Sequence, residues 1–245
     1  MKIFVLLSRF PYPLDKGDKL RAYYQIKELS AFHEIHLCCL DDSNVHSEHL
    51  KHLEAYCKSV NVIQLRKWQI VINIFIGLFS SLPFQVWYFY QGHAHRKIKQ
   101  QIKNIQPDYI YCQLLRTAEY VKHEHAIPKT LDYMDTFSKG MERRIENAGW
   151  KKVFIQTEFQ RLKKYENLIF EYFENKTIIS KQDQEFIFHP NRAKIAIIPN
   201  GIDLSKFTPL DIDKQYDLVF VGNMHYAPNV ESALFIVNEI LPILL

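Results

Sequence analysis

One loop and one strand end place reactive residue types where an α/β fold would use them. The loop Arg9-Phe10-Pro11-Tyr12-Pro13-Leu14-Asp15-Lys16-Gly17-Asp18-Lys19-Leu20-Arg21 follows an apolar run and precedes a helical pattern. In an open α/β sheet ligands sit outside the carboxyl ends of the strands, so this loop belongs to a cleft. Gly17 would let the backbone approach a ligand closely, and Asp18 is placed to N-cap the following helix. The helix N-terminus offers free N–H groups to an anion, with Lys19 and Arg21 adding charge. A plain turn with a cap explains the same residues equally well. Asp135 lies just past a predicted strand and so at the same edge. It could orient a substrate hydroxyl or act as a general base, or it could cap the helix expected to start near Phe137.

Three further groups of residues have both a chemical and a structural reading. Asn200, Gly201 and Asp203 make a tight turn with a tie or cap, or contact a ligand directly. Gly222 and Asn223 end a strand-like run, where a turn faces either a ligand or only the next helix. His46, His49 and His52 recur every third residue, but the usual zinc spacings are missing, so no metal is expected. The cysteines, Cys38, Cys39, Cys57 and Cys112, form no C-x-x-C pair. Cys38 and Cys39 are adjacent in a probable strand and point to opposite faces. Buried, reduced thiols of a cytoplasmic protein are the expectation.

The elements that must position these residues are legible as alternation. Strand-like runs cover 3–7, 35–40, 60–65, 109–112, 129–133, 176–180, 195–198 and 218–221. Most are continuously apolar, as in strands buried on both faces of a parallel sheet. Helical patterns lie between them, at 19–32, 47–59, 94–104, 117–123, 137–148, 151–174, 182–188 and 230–241. The pattern predicts an α/β fold, a doubly wound Rossmann-like domain over 1–198. A polar crossover follows at 199–215, and residues 216–245 read as the first strand and helix of a second Rossmann-like domain that is incomplete in this chain.

Composition narrows the classes. Across 245 residues, 47% are hydrophobic and 24% charged, which predicts a sizeable core and argues against disorder. A net charge of +4 is too weak to argue for nucleic acid. The N-terminal apolar run is too short for a signal peptide and fits a first strand. Segment 68–90 is the most apolar, but Pro83 splits it and Asn73, Ser80, Ser81 and Gln85 interrupt it. No uninterrupted piece of it reaches the roughly 20 apolar residues a membrane span requires. It reads as an amphipathic helix over 69–80 followed by a loop, either covering the sheet or lying on a membrane surface.

Taken together, several stretches resemble one family. The loop Phe10-Pro11-Tyr12-Pro13…Lys16-Gly17-Asp18…Arg21 is similar to the entry loop of two-domain (GT-B) retaining glycosyltransferases of family 4, nearest to those of exopolysaccharide gene clusters. Leu131-Asp132-Tyr133-Met134-Asp135-Thr136-Phe137-Ser138 resembles that group's Asp-rich strand end, and Glu158, Leu162, Tyr165 and Glu166 its long-helix pattern. Ile198-Pro199-Asn200-Gly201-Ile202-Asp203…Phe207…Pro209 is the most recognisable stretch. Phe220-Val221-Gly222-Asn223-Met224…Tyr226…Pro228-Asn229-Val230 resembles the opening of the family's second domain.

The resemblance implies two Rossmann-like domains facing each other across a cleft. The first would bind a glycan or lipid-linked acceptor, and the second a UDP- or GDP-type nucleotide-sugar donor. Transfer would proceed with retention and no obligatory metal. Gly222 and Asn223 would lie near the donor phosphates. The family's paired glutamates, E-x7-E, belong to the part of the second domain that this sequence does not include. The same spacing at Glu158/Glu166, Glu166/Glu174 and Glu231/Glu239 falls on helical stretches and reads as solvated helix faces. The chain by itself is therefore expected to be inactive or nearly so, or to be one half of a split enzyme whose partner chain supplies the donor domain. A nucleotide-dependent oxidoreductase is disfavoured, since there is no G-x-G-x-x-G and the chain has only seven glycines.

Overall fold

The structure, a computed structural model, describes all residues except 44, 147, 204–212, 214, 225, 226 and 245, with 227 and 228 described as backbone only. The chain divides into two compact units, Met1–Asn200 and Gly201–Leu245.

The first unit is built on seven strands: β1 (Lys2–Leu7), β2 (Glu34–Asp41), β3 (Ser59–Gln64), β4 (Tyr109–Gln113), β5 (Lys129–Met134), β6 (Asn175–Ile178) and β7 (Ala196–Ile197). They form one sheet in the order β3-β2-β1-β4-β5-β6-β7, with every neighbouring pair parallel. Parallel neighbours need crossovers, and helices supply them. These are α1 (Gly17–Ser30), α2 (Ser47–Glu54), α3 (Lys67–Gly77), α4 (Phe84–Phe89), α5 (Gly92–Ile105), α6 (Leu115–Ala118), α7 (Phe137–Ile145), α8 (Lys152–Phe170) and α9 (Lys181–Phe186).

Continuously apolar strands acquire two cores, one on each face. Phe4, Leu6, Cys38 and Leu40 join Ile110, Leu131, Leu162 and Ile169 on one side. Ile3, Val5, Leu7, Leu37 and Cys39 pack with Ala22, Ile26 and Leu53 on the other. The two adjacent cysteines thus face opposite ways, as strand geometry requires. Burial pushes the Cys38 and Cys112 thiols up to about 12. Helix α8 buries Glu158, Leu162, Tyr165, Glu166, Ile169 and Phe170, a stripe at intervals of three and four that lies along one helix face.

Two elements differ from the sequence expectation. Residues 84–89, expected as loop, form α4. Pro83 precedes the helix, and Glu158 from the distant α8 accepts the first N–H groups, from Phe84 at 2.7 Å and Gln85 at 3.1 Å. A short helix end is stabilised by a partner no local pattern reveals. In the second unit, residues 218–221 carry no strand pairing among the described residues. A strand holds its geometry through a neighbour's N–H and C=O groups, and no second strand is described in that unit. It does contain α10 (Ala227–Phe235), a π-helical turn Ile236–Ile240, and α11 (Leu241–Leu244).

Candidate functional site

The sheet order reverses at β1, which has β2 on one side and β4 on the other. The crevice outside the carboxyl ends at such a reversal is where open α/β sheets bind ligands. Two backbone turns shape it. Leu114, directly after β4, has φ 66° and ψ 148°. Met134, ending β5, has φ 63°, and the three-residue turn around it closes with Asp135 N–H donating to Tyr133 O at 2.9 Å. Side chains other than glycine rarely adopt this region, and each such residue costs on the order of 1–3 kcal/mol. The first turn brings Arg116 out of the sheet edge, and the second does the same for Asp135. Neither site contains a glycine, so the sequence carries no sign of them.

Asp135 is exposed at the surface but crowded below. That crowding, together with the Asp183 carboxylate, pushes its carboxyl up to about 6, while Arg116 pulls the other way. It does not cap α7. Thr136 precedes the helix and makes no side-chain cap bond, while Glu166 of α8 accepts from Ser138 N–H at 2.9 Å and Ser138 Oγ at 2.5 Å. Near Asp135 stands Arg116, held by Gln85, and near Arg116 stands Tyr88, whose hydroxyl donates to Asp42. Sequence reasoning did not find Arg116, Gln85 or Tyr88. They come from α6 and α4, short elements with no periodicity to read.

The residues singled out in the first loop have different fates. Gly17 opens α1, is exposed, and has no atom within 4 Å of where a Cβ would sit, so close approach there is open. Asp18 is not the N-cap. Lys16 precedes the helix without a side-chain bond, and Asp18 lies in the first turn, 3.4 Å from Arg9 Nε. Arg21 is buried and bonded within the protein. Its Nε donates to Asp132 at 2.7 Å and Nη2 to the second carboxylate oxygen at 3.3 Å. Its Nη1 donates to Ile198 O at 2.8 Å and Asn200 Oδ1 at 3.0 Å. Asp132, wholly buried, also accepts from Tyr111 at 2.7 Å and Thr177 at 2.8 Å. A buried carboxylate needs such neutralisation, so Arg21 is committed to the interior and secures the chain at Asn200. The sign available in the sequence was Asp132 itself, a charge within an apolar strand.

The glutamates at 158 and 166 are also corrected. They are not solvated: both are buried, and each binds the N–H groups that open another helix, α4 or α7. Burial pushes Glu166 up to about 7 against the hydrogen bonds from Ser138 and Phe137.

In the second unit Gly201 is open around its Cα, and Asp203 is half-buried. Gly222 is tight. A Cβ there would lie 2.9 Å from Asn229 side-chain atoms, and Asn229 Nδ2 donates to Asn223 O at 3.0 Å. The absence of a side chain at 222 therefore has a packing cause.

Tyr12 stacks on His52 at 3.9 Å and meets His49 edge-on at 5.2 Å, and His46 meets His49 edge-on at 5.5 Å. Among the described residues no group of three or more His, Cys, Asp or Glu could hold a metal ion. No helix of the described residues is long and apolar enough to cross a membrane. Helix α3 nevertheless has inverted polarity. Ile70, Asn73 and Gly77 are buried, Asn73 Nδ2 donating to Trp87 O and Tyr90 O, while Trp68, Val71, Ile72, Phe75 and Ile76 are exposed.

No protein-family model matches the sequence, and no curated protein matches it. Among solved structures, the chain is similar to a sucrose-phosphate synthase from Thermosynechococcus elongatus at TM-score 0.51 and 13% identity. The match covers 86% of this chain and 51% of that one. Phytolacca americana UGT2, solved with UDP-2fluoro-glucose and pterostilbene, follows at TM-score 0.47 and 10% identity, over 82% of this chain and 54% of that one. The chain therefore spans about half the length of the solved structures it matches. Its α/β fold with a seven-stranded parallel sheet corresponds to about half of a GT-B glycosyltransferase chain.

Proposed function

We propose that this chain is the acceptor-side half of a retaining glycosyltransferase of family 4 type, acting in cell-surface polysaccharide synthesis. The observation that carries this reading is the match of the seven-stranded sheet to one half of a sucrose-phosphate synthase. The donor would be a UDP- or GDP-sugar and the acceptor a glycan or lipid-linked glycan. Residues 1–198 form the acceptor domain, 199–215 the crossover, and 216–245 the opening of the donor domain. Most of the rate would come from positioning the acceptor hydroxyl and stabilising charge on the leaving diphosphate. Asp135, at the carboxyl edge of β5 with a carboxyl near 6, supports a role as the proton-accepting group. Gly17, beside the same crevice, leaves room for a substrate. Gly222 and Asn223 belong to the donor side in this reading, and Asn200, Gly201 and Asp203 to the crossover.

The protein would work at the cytoplasmic face of a membrane without spanning it. Exposed Phe79 (84% exposed) and Trp150 (90%), with Trp68, Phe75 and Val153, support this reading. Ser81 and Val153 line one shallow recess with Arg161 and Lys164, which joins the α3 end to the start of α8. Lys67, Lys151 and Lys152 are exposed beside these residues. Apolar side chains with a basic rim suit an anionic interface. The donor half could also be a separate polypeptide, a reading favoured by the exposed Phe235, Val237, Ile243 and Leu244 of the second unit.

The test is sugar transfer from labelled UDP- and GDP-sugars to an envelope lipid extract. The 245-residue chain alone should transfer nothing, and addition of a donor-half polypeptide should restore incorporation. Ordinary turnover by the chain alone would refute the half-enzyme reading. No incorporation with the donor half present would refute the transferase reading.

A further inference from the structure

Arg116 is a cation in the cleft that the fold positions without neutralising. Its guanidinium lies over the Phe89 ring at 5.3 Å and the Phe137 ring at 5.0 Å. Nε and Nη2 both donate to one uncharged oxygen, Gln85 Oε1, at 3.3 and 3.0 Å. The neighbouring arginines are different: Arg9 has Asp18 at 3.4 Å and Arg21 has Asp132 at 2.7 Å. Among the described residues no carboxylate lies within 4.0 Å of Arg116. An amide fixes the side chain in place and leaves its charge for something else, and two aromatic faces exclude water from it. Burial and the nearby Arg9 pull the guanidinium down to about 10, so the site would gain from an incoming negative charge. Two carboxylates, Asp18 and Asp135, act on it from beyond ion-pair distance, and Asp18 is engaged by Arg9. A planar guanidinium fork is matched to phosphate and carboxylate oxygens.

We propose that Arg116, supported by Arg9, is an oxyanion-binding site, and that the acceptor carries a phosphate or carboxylate which this pair holds. The assignment to the acceptor rests on reading this unit as the acceptor side. The anion would sit across the crevice mouth from Asp135, anchoring the acceptor while one of its hydroxyls meets that carboxyl.

The test is calorimetric titration of the 245-residue chain with glucose 1-phosphate, glucose and UDP. Wild type, Arg116→Gln, Arg116→Lys and Arg9→Gln are compared, with circular dichroism to check folding. Glucose 1-phosphate should bind about tenfold or more tightly than glucose, and Arg116→Gln should remove that advantage while leaving UDP within about twofold. Arg116→Lys should recover part of it, since charge returns without the fork. Wild type that does not distinguish glucose 1-phosphate from glucose overturns the site. So does unchanged glucose 1-phosphate affinity in folded Arg116→Gln. If that variant does not fold, wild-type affinity in both Arg116→Lys and Arg9→Gln overturns it instead. A loss confined to UDP gives the pair to a donor diphosphate and overturns the acceptor assignment. A preserved glucose 1-phosphate preference with no sugar transfer in the reconstituted assay counts against the transferase reading alone.

Discussion

Glu166→Gln gives the sharpest test of how the interior is organised. Glu166 is wholly buried and holds the start of α7 through Ser138 N–H and Oγ. Burial raises its carboxyl from an ordinary 4.5 to about 7. Between those values the unfolded chain has released the proton and the folded chain keeps it. The folded state then binds more protons, so stability falls as pH rises. The contribution is fully present below 4.5 and is lost as pH passes through about 7. At about 1.4 kcal/mol per pH unit, the interval is worth roughly 3 kcal/mol. Glutamine keeps the shape and one acceptor oxygen but never ionises. At pH 5 the variant should lie within about 1 kcal/mol of wild type, the scale of one altered hydrogen bond. By pH 8 it should have gained roughly 3 kcal/mol relative to wild type. Urea titrations at pH 5, 6, 7 and 8, followed by tryptophan fluorescence, read this directly. A difference between the two proteins that stays constant to within about 1 kcal/mol across that range would refute the reasoning.

Other consequences follow from the same geometry. Arg21→Met leaves Asp132 charged and buried, and should cost about 3–5 kcal/mol in urea denaturation; a loss under about 1 kcal/mol would show that the pair is not what holds Asp132. Asp135→Asn should lower transfer in the reconstituted enzyme by about 10²–10⁴-fold with little change in stability, as expected for a lost general base. The wild-type rate should fall as pH drops below about 6, where Asp135 takes up its proton, and Asp135→Asn should lose that limb. Phe75→Ser with Phe79→Ser should weaken binding to vesicles containing phosphatidylglycerol by about tenfold or more, from roughly 1.5–3 kcal/mol for each large apolar side chain; unchanged sedimentation with vesicles would remove the membrane face.

Much of the domain was legible because its causes are local. Apolar runs at 3–7 and 35–40 read as strands buried on both faces, and their alternation with helical patterns leads directly to a parallel sheet with its cleft at the carboxyl edge. The site was legible only in its location. Arg21 and Asp18 carry the right chemistry at the right edge, yet one is drawn inward by Asp132 and the other is engaged by Arg9. Glu158 and Glu166 look like surface charges until α4 and α7 present unsatisfied N–H groups to them.

By itself, then, the sequence determined the fold class, the strand order of burial and the edge where ligands must come, because periodicity and apolar content act within a few residues of chain. Only the tertiary structure decided which charges are neutralised and which remain available. Arg21 and Arg116 are the same residue type at the same edge, and what separates them is a partner 111 residues away for one and an uncharged amide for the other. Electrostatic partners of that kind are set by how strands and helices are brought together in space, and no local pattern encodes them.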